Sequence, residues 1–398
     1  MSTEHVPIIA RRLKQLRLAR GLSLDALAAE MGGIVTKQAL SKYELGKASP
    51  SPVVLNKLAA ALGVKAAHLW SEPSFSVKFI AYRKGSGLLK GEQKRLESLV
   101  VQSLEDRIRL QDLAQQINGS SLPVQKLNVR KITDAELAAD KMRKTWSLGR
   151  APIANVTDIL EDHLVHVLEV EAGEKFDGIS AVALNGKGNI KAAAVVSRSG
   201  IAGERQRLNL GHELGHLVLN ISREIDEEKA AFRFAAAFLA PAESLYKEVG
   251  SKRVFIQPEE LLILKQRFGI SVQALLYRLH DLGVITDRYY KKWCININRL
   301  SWKKHEPCEL PPERPKWLRR SVLRAFGESL FTKEEAEKML GEQLKIKESL
   351  SLIERRSFMK LPLEERRKLM AEQASKFEAY YKQNPETREI GGGDIIDY

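Results

Sequence analysis

The sequence predicts a multidomain, mainly α protein, with an all-α head, a central α+β domain built on a small sheet, and a helical C-terminal region. Three observations predict it. The chain has 398 residues, too many for one ordinary core. Apolar residues recur at helical spacing along most of its length. Strand-like runs collect in one stretch, 165–196, with Asn185-Gly-Lys-Gly as a hairpin turn between the last two. The expected divisions are a head at 1–72, a helical connector at 73–130, a central domain at 131–300 and a helical region at 301–398.

The apolar fraction of 44% is ample for packing, and no apolar run approaches the length of a membrane span. The first residues show no charged start followed by an apolar stretch, so no signal peptide is expected. Two cysteines, Cys294 and Cys308, make no disulfide framework. These features lead to the expectation of a cytoplasmic protein without a membrane partner. The formal charge is +14, and residues 1–70 hold ten Lys/Arg against four acids. That concentration suits a phosphate-contacting surface, because neutralising phosphates releases condensed counterions.

Periodicity then shapes the head. Ile8, Ile9, Leu13, Leu16 and Leu18 form an amphipathic first helix that Gly21 closes. Ser23 caps a second helix with Leu24, Leu27, Ala28 and Met31 on its apolar face. Gly32-Gly33 break the chain, Thr36 caps a third helix over 37–44, and a fourth follows from Val53 to Leu62. Short helices with a tight break before a polar third one make a helix-turn-helix. Residues 8–70 resemble the Xre/Cro-repressor type of DNA-binding domain. The resemblance lies in Ser41-Lys-Tyr-Glu-Leu-Gly-Lys with Pro50, and in Leu55, Leu58-Ala and Leu62-Gly-Val. The Gly-Gly-Ile-Val connector is longer than that family's usual turn. The resemblance implies that Thr36, Lys37, Gln38, Ser41 and Lys42 face double-stranded DNA, and that the protein binds a palindromic operator as a homodimer. Gln38 is the first candidate for base reading, since an amide can donate and accept in pairs against adenine.

Leu96, Leu99, Val100, Leu104, Ile108, Leu110 and Leu113 give a long helix from Lys90 to about Ile117. It is read as a connector packed on the next domain rather than a dimerising coil, since the heptad is not kept, and Asn118 to Pro123 reads as a loop. A further helix spans 133–148. Strands are expected at 165–170, 179–184 and 190–196. The next helix, starting near Gln206, carries His212-Glu213-Leu-Gly-His216. Histidines four apart project from one helix face and can grip one zinc ion. Glu213 stands beside them, suited to take a proton from a water that the metal activates.

A third ligand must come from elsewhere, and the following helix supplies Glu224 to Pro241. His-Glu-Leu-Gly-His followed by Glu-x-x-Ala-x-x-Phe-Ala-Ala-x-x-Leu-x-Pro, here Glu228 to Pro241, resembles the ImmA/IrrE family of metallopeptidases. Trp146-Ser-Leu-Gly with Pro152-Ile, and the run from Arg205, are similar to it too. The resemblance implies a zincin-like central domain with Zn2+ held by His212, His216 and Glu228, with Glu227 as the fallback ligand. Where the family carries an Asn, this chain has Phe232. No oxyanion stabiliser is assigned; His163, His166, Arg205 and Tyr246 are the candidates.

Residues 258–293 read as helices that complete the central domain, rather than as a second helix-turn-helix. Cys294, His305 and Cys308 are too loosely spaced for a second zinc site. Pro307, Pro311, Pro312 and Pro315 mark a linker before helices at 316–329 and 332–341. The tail resembles small antitoxins found beside ribonuclease toxins, in Leu361-Pro-Leu-Glu-Glu-Arg-Arg and in the ending Gly393-Asp-Ile-Ile-Asp-Tyr. A short amphipathic arm of this kind can fold onto a partner.

Three functions follow as expectations. One is a transcriptional regulator whose attached zinc endopeptidase cuts a repressor, itself or a partner protein. The second is an antitoxin that represses its own operon while its tail holds a toxin, the zincin-like domain serving as scaffold. The third is a ligand sensor without catalysis, which the intact His-Glu-Leu-Gly-His disfavours.

Overall fold

The computed structural model describes residues 7–72, 75–82, 90–113, 124–173, 176, 178–303, 305–344 and 358–383. Two compact units divide the chain, Met1–Glu342 and Gln343–Tyr398. The architecture is mainly helical with a small mixed sheet.

The first unit begins with four helices, α1 (Ile8–Ala19), α2 (Leu24–Glu30), α3 (Lys37–Glu44) and α4 (Pro52–Ala61). Ser23, Thr36 and Ser51 each accept a hydrogen bond from the backbone N–H three residues on, so three of the four helices begin on a side-chain cap. Gly32 and Gly33 both have φ near +70°, a conformation that side chains resist, and this lets the chain turn between α2 and α3. Leu13, Leu16, Leu27, Leu40, Leu58 and Leu69 close a core belonging to the head.

Next comes a strand, β1 (Phe75–Tyr82), then a helix, α5 (Lys90–Leu113). The stretch expected to be a helical connector contributes a strand as well as α5, and α5 packs on the sheet. Phe75, Val77 and Phe79 alternate with Ser76 and Lys78, which gives β1 one apolar face.

The four-stranded sheet has the order β1-β4-β5-β3, with β3 (Val165–Val170), β4 (Ile179–Asn185) and β5 (Ile190–Arg198). β4 runs antiparallel to β1 and β5, and β3 runs parallel to β5. Alternation sorts the side chains. Ala192, Ala194 and Val196 face α5, where Leu96, Val100, Leu104 and Ile108 meet them. Ala193 and Val195 point the other way, into the main core. With helices on both faces the strands read as nearly unbroken apolar runs.

The main core gathers α6 (Asp134–Thr145), α7 (Val156–Asp162), α8 (Gly203–Val218) and α9 (Glu227–Leu239), with α10 (Ala242–Val249), α11 (Pro258–Phe268), α12 (Val272–Asp281) and α13 (Asp287–Arg299). α11 to α13 bury Leu261, Phe268, Leu275, Leu279, Trp293 and Ile297 there, so they pack as part of the same layer as α9. A short strand β2 (Leu127–Val129) pairs in parallel with β6 (Leu219–Ile221) at the exit of α8.

The proline-marked segment is no free linker. Leu310 accepts from the backbone N–H of Gly203 at 2.8 Å and its own N–H donates to Glu204 at 3.0 Å. Glu313 pairs with Gln206 through its backbone and with Arg207 through its carboxylate. Lys265, fully buried, bridges Glu204 and Glu306 at 2.6 and 3.1 Å. Residues 306–313 therefore clamp the first turn of α8, and α14 (Trp317–Gly327) and α15 (Lys333–Leu340) follow within the first unit. In the second unit the described element is a helix, Leu363–Gln383. The residues of the antitoxin-like ending, 393–398, lie outside the described residues.

Candidate functional site

α8 and α9 are built to approach closely. Gly211 and Gly215 face Ala235 and Ala231; a Cβ on Gly215 would come within 3.2 Å of the Phe234 ring and 3.3 Å of the Ala231 backbone. Small residues on both helices remove the side-chain layer that normally keeps helices apart. The first turn of α9, capped by Asp226, is thereby brought against the buried His212/His216 face.

The result is one cluster. Donor atoms of His212, His216 and Glu228 all lie within 4.8 Å of one another, and this is the one such group among the described residues. Nε2 of His212 and Nε2 of His216 are 3.0 Å apart, and each is 3.5 Å from a Glu228 oxygen. Tetrahedral ligands held at ordinary zinc bond lengths would be separated by roughly 3.3 Å. The donor set and its spacing therefore fit a zinc-sized ion. The two imidazoles are 3% exposed and Glu228 is 43% exposed, so the cluster is closed on the histidine side and open beside the carboxylate. Burial, then the neighbouring His212, lowers the pKa of His216 against the pull of Glu228 and Glu227. A neutral imidazole is the form that binds a metal.

Glu227, the fallback ligand, goes elsewhere. Its Oε1 lies 3.2 Å from Nδ1 of His216, the nitrogen not directed at the cluster. Phe232 lies against His212, with ring centroids 4.1 Å apart.

Glu213 is 3% exposed and is held from the sheet. The Ser180 hydroxyl donates to the Glu213 carboxylate, and lies 3.2 Å from the Glu213 carbonyl oxygen. Gly178 passes so close that a Cβ there would overlap Oε1 of Glu213. Sequence reasoning missed both residues. One signal was available for Ser180, the single hydroxyl in the apolar run Ile179-Ser-Ala-Val-Ala-Leu184, on the α8 side of the strand with Val182.

Three of the four oxyanion candidates have partners outside the cluster. His163 stacks on Trp146 and donates from Nδ1 to Ile159. His166 points to the opposite face of the sheet, edge-on to Trp317. The Tyr246 hydroxyl donates to the Leu282 carbonyl, and Arg205 is exposed on α8. Cys294 and Cys308 are free thiols.

In the head, Thr36, Lys37, Gln38 and Lys42 are exposed and Ser41 is half-buried, while Leu40 and Glu44 point inward. Glu44 accepts two hydrogen bonds from Arg17, at 2.6 and 2.8 Å, and Arg17 also donates to the Leu22 carbonyl. This buried bidentate pair fastens the far end of α3 to α1. Thr36 is occupied as the α3 cap, and Lys37 forms an exposed ion pair with Asp25 at 2.7 Å. Such a pair contributes little and yields readily to a phosphate.

Residues 13–69 match the helix-turn-helix family model, and residues 200–280 match that of the IrrE N-terminal-like domain. The first span runs from α1 through α4 to the turn at Ala66–Leu69, and the second covers α8 to α12, including the cluster. No curated protein matches the chain. Among the described residues no helix is long and apolar enough to cross a membrane. The chain thus joins a DNA-binding regulator's head to a peptidase-family domain.

Proposed function

We propose that the chain is a sequence-specific transcriptional regulator carrying a zinc-dependent endopeptidase, which cuts a repressor, this chain or a partner, within a stress-response or toxin–antitoxin module. One observation carries the reading: two buried imidazoles and a half-exposed carboxylate converge at metal-ligand spacing. His212, His216 and Glu228 would hold Zn2+. The ion, when bound, acidifies water and polarises an amide carbonyl. Glu213 takes the proton released in the attack and returns it to the leaving amine. Ser180 keeps the Glu213 carboxylate in one orientation, so that no reorganisation is needed as the proton moves. Thr36, Lys37, Gln38, Ser41 and Lys42 form the DNA face, with Gln38 reading a base and the lysines meeting phosphates. A palindromic operator would be bound by two copies.

Zinc-loaded wild type and Glu213→Gln are compared for cleavage of their own chain and of co-expressed neighbouring gene products, by intact mass. Glu213-dependent fragments are expected. Equal behaviour of the two proteins would sink the peptidase role.

A second reading rests on the helix Leu363–Gln383. Leu363, Leu369 and Met370 are exposed on it among charged residues, as on an arm that docks a partner. In that reading the chain is an antitoxin and autorepressor for a ribonuclease, with the metal domain as scaffold or sensor. Co-purification of a small nuclease that is lost on truncation at residue 357 would favour it.

A further inference from the structure

We infer that Glu227 is a positioning residue for the metal centre, fixing the tautomer and ring angle of His216; this rests on the metal reading above. An imidazole offers a metal one nitrogen, and the partner of its other nitrogen decides which one is free and where the ring points. Nε2 of His216 faces His212 and Glu228, while Nδ1 faces a Glu227 oxygen at 3.2 Å. Consecutive residues on a helix diverge by about 100°, so Glu227 and Glu228, adjacent on the first turn of α9, reach opposite sides of one ring. A carboxylate accepting from Nδ1–H leaves the Nε2 lone pair on the cluster and raises its basicity.

The two histidines differ in this respect. Nδ1 of His212 is buried without a hydrogen-bond partner among the described residues, and its ring is held by packing on Phe232. Orientation by hydrogen bonding therefore falls on His216 and Glu227. Glu227 is 62% exposed, so its removal leaves no cavity and exposes no core.

The test measures zinc affinity of the full-length protein by chelator competition, together with the visible spectrum of the Co2+-substituted protein. Glu227→Ala is expected to weaken zinc binding by about 10–100-fold while keeping the wild-type cobalt spectrum and the wild-type melting temperature without metal. Glu227→Gln, which retains an acceptor, recovers most of the loss. Glu228→Ala removes a ligand and changes the spectrum. Wild-type zinc affinity in Glu227→Ala overturns the inference, and so does a cobalt spectrum altered as in Glu228→Ala. Wild type that binds no zinc sinks the metal centre itself. A centre that binds zinc but cuts nothing removes the peptidase role and leaves the assignment of Glu227 standing.

Discussion

Ser180 and Glu213 show how much one hydroxyl can decide. A buried carboxylate without a donor is mobile and poorly solvated, and a hydrogen bond to a charged group is worth about 1.5–3 kcal/mol. Ser180→Ala is expected to lower Glu213-dependent cleavage by roughly tenfold or more while zinc affinity stays at the wild-type value. Equal loss of both would mean that the serine supports the fold instead. In the head, Gln38→Ala should reduce preference for the operator, whereas Lys42→Ala should weaken binding to all DNA and lower the salt slope by about 1. Asp106, on α5, provides a pH signature. Burial first raises its pKa to about 6, and nearby Glu105 adds to this against a hydrogen bond from Gln102. The unfolded carboxyl ionises near 3.9, so the folded state binds the proton more tightly. Its contribution favours folding below pH 4 and declines as pH rises towards 6. Asp106→Asn should then flatten the stability profile between pH 4 and 6 and raise the melting temperature at pH 7, read by thermal melts across that range. At this scale the metal motif was legible because spacing along a helix fixes a common face. The family resemblance pointed to Glu228 with Glu227 as the fallback, but the contact of Glu227 with Nδ1 of His216 was not legible, since it exists only once the opposing helix is in place.

Two helices carry the clustered imidazoles and the Glu228 carboxylate, and glycine sets their separation. Gly215→Val would put branched methyls where a Cβ alone comes within 3.3 Å of the α9 backbone. Better helix propensity cannot offset that, and a loss of about 1–3 kcal/mol is expected, together with weaker zinc binding as Glu228 withdraws. A variant that melts and binds zinc like wild type would show that the helices can part without consequence. The clamp on the first turn of α8 is guarded in a similar way. Gly269 has φ +65°, and a Cβ there would overlap the Arg207 guanidinium that Glu313 holds. Among elements, the helices were readable from period and caps, and β3, β4 and β5 from their apolar runs. β1 was missed although Phe75, Val77 and Phe79 alternate plainly. Its other face exposes Ser76 and Lys78, and the longer helical signal from Leu96 onward dominates its surroundings. The clamp was unreadable in principle, because Glu306 and Glu313 find Lys265 and Arg207 only once three separate segments have assembled.

Over the whole first unit the head is docked on α5. Arg12, 3% exposed, makes two hydrogen bonds to Glu105 at 2.7 and 2.9 Å and lies 2.7 Å from His68. Removing one partner of a buried pair strands the other, at a cost of about 3–5 kcal/mol. Glu105→Ala should raise amide exchange along α1 and α5 while the head core around Leu13, Leu27, Leu40 and Leu58 keeps its protection. Unchanged exchange at α1 would mean that apolar packing alone holds the interface. A different consequence follows from β1, which comes directly after the head and pairs along β4 from Phe75↔Asn185 to Tyr82↔Ile179. A fragment started at residue 90, meant to isolate the half that carries the His212, His216 and Glu228 cluster, would strip the sheet of its outer ribbon. Unsatisfied amides on β4 would then invite pairing with any other copy in solution. Such a preparation should form soluble clumps or inclusion bodies, whereas one begun at residue 75 should stay dispersed.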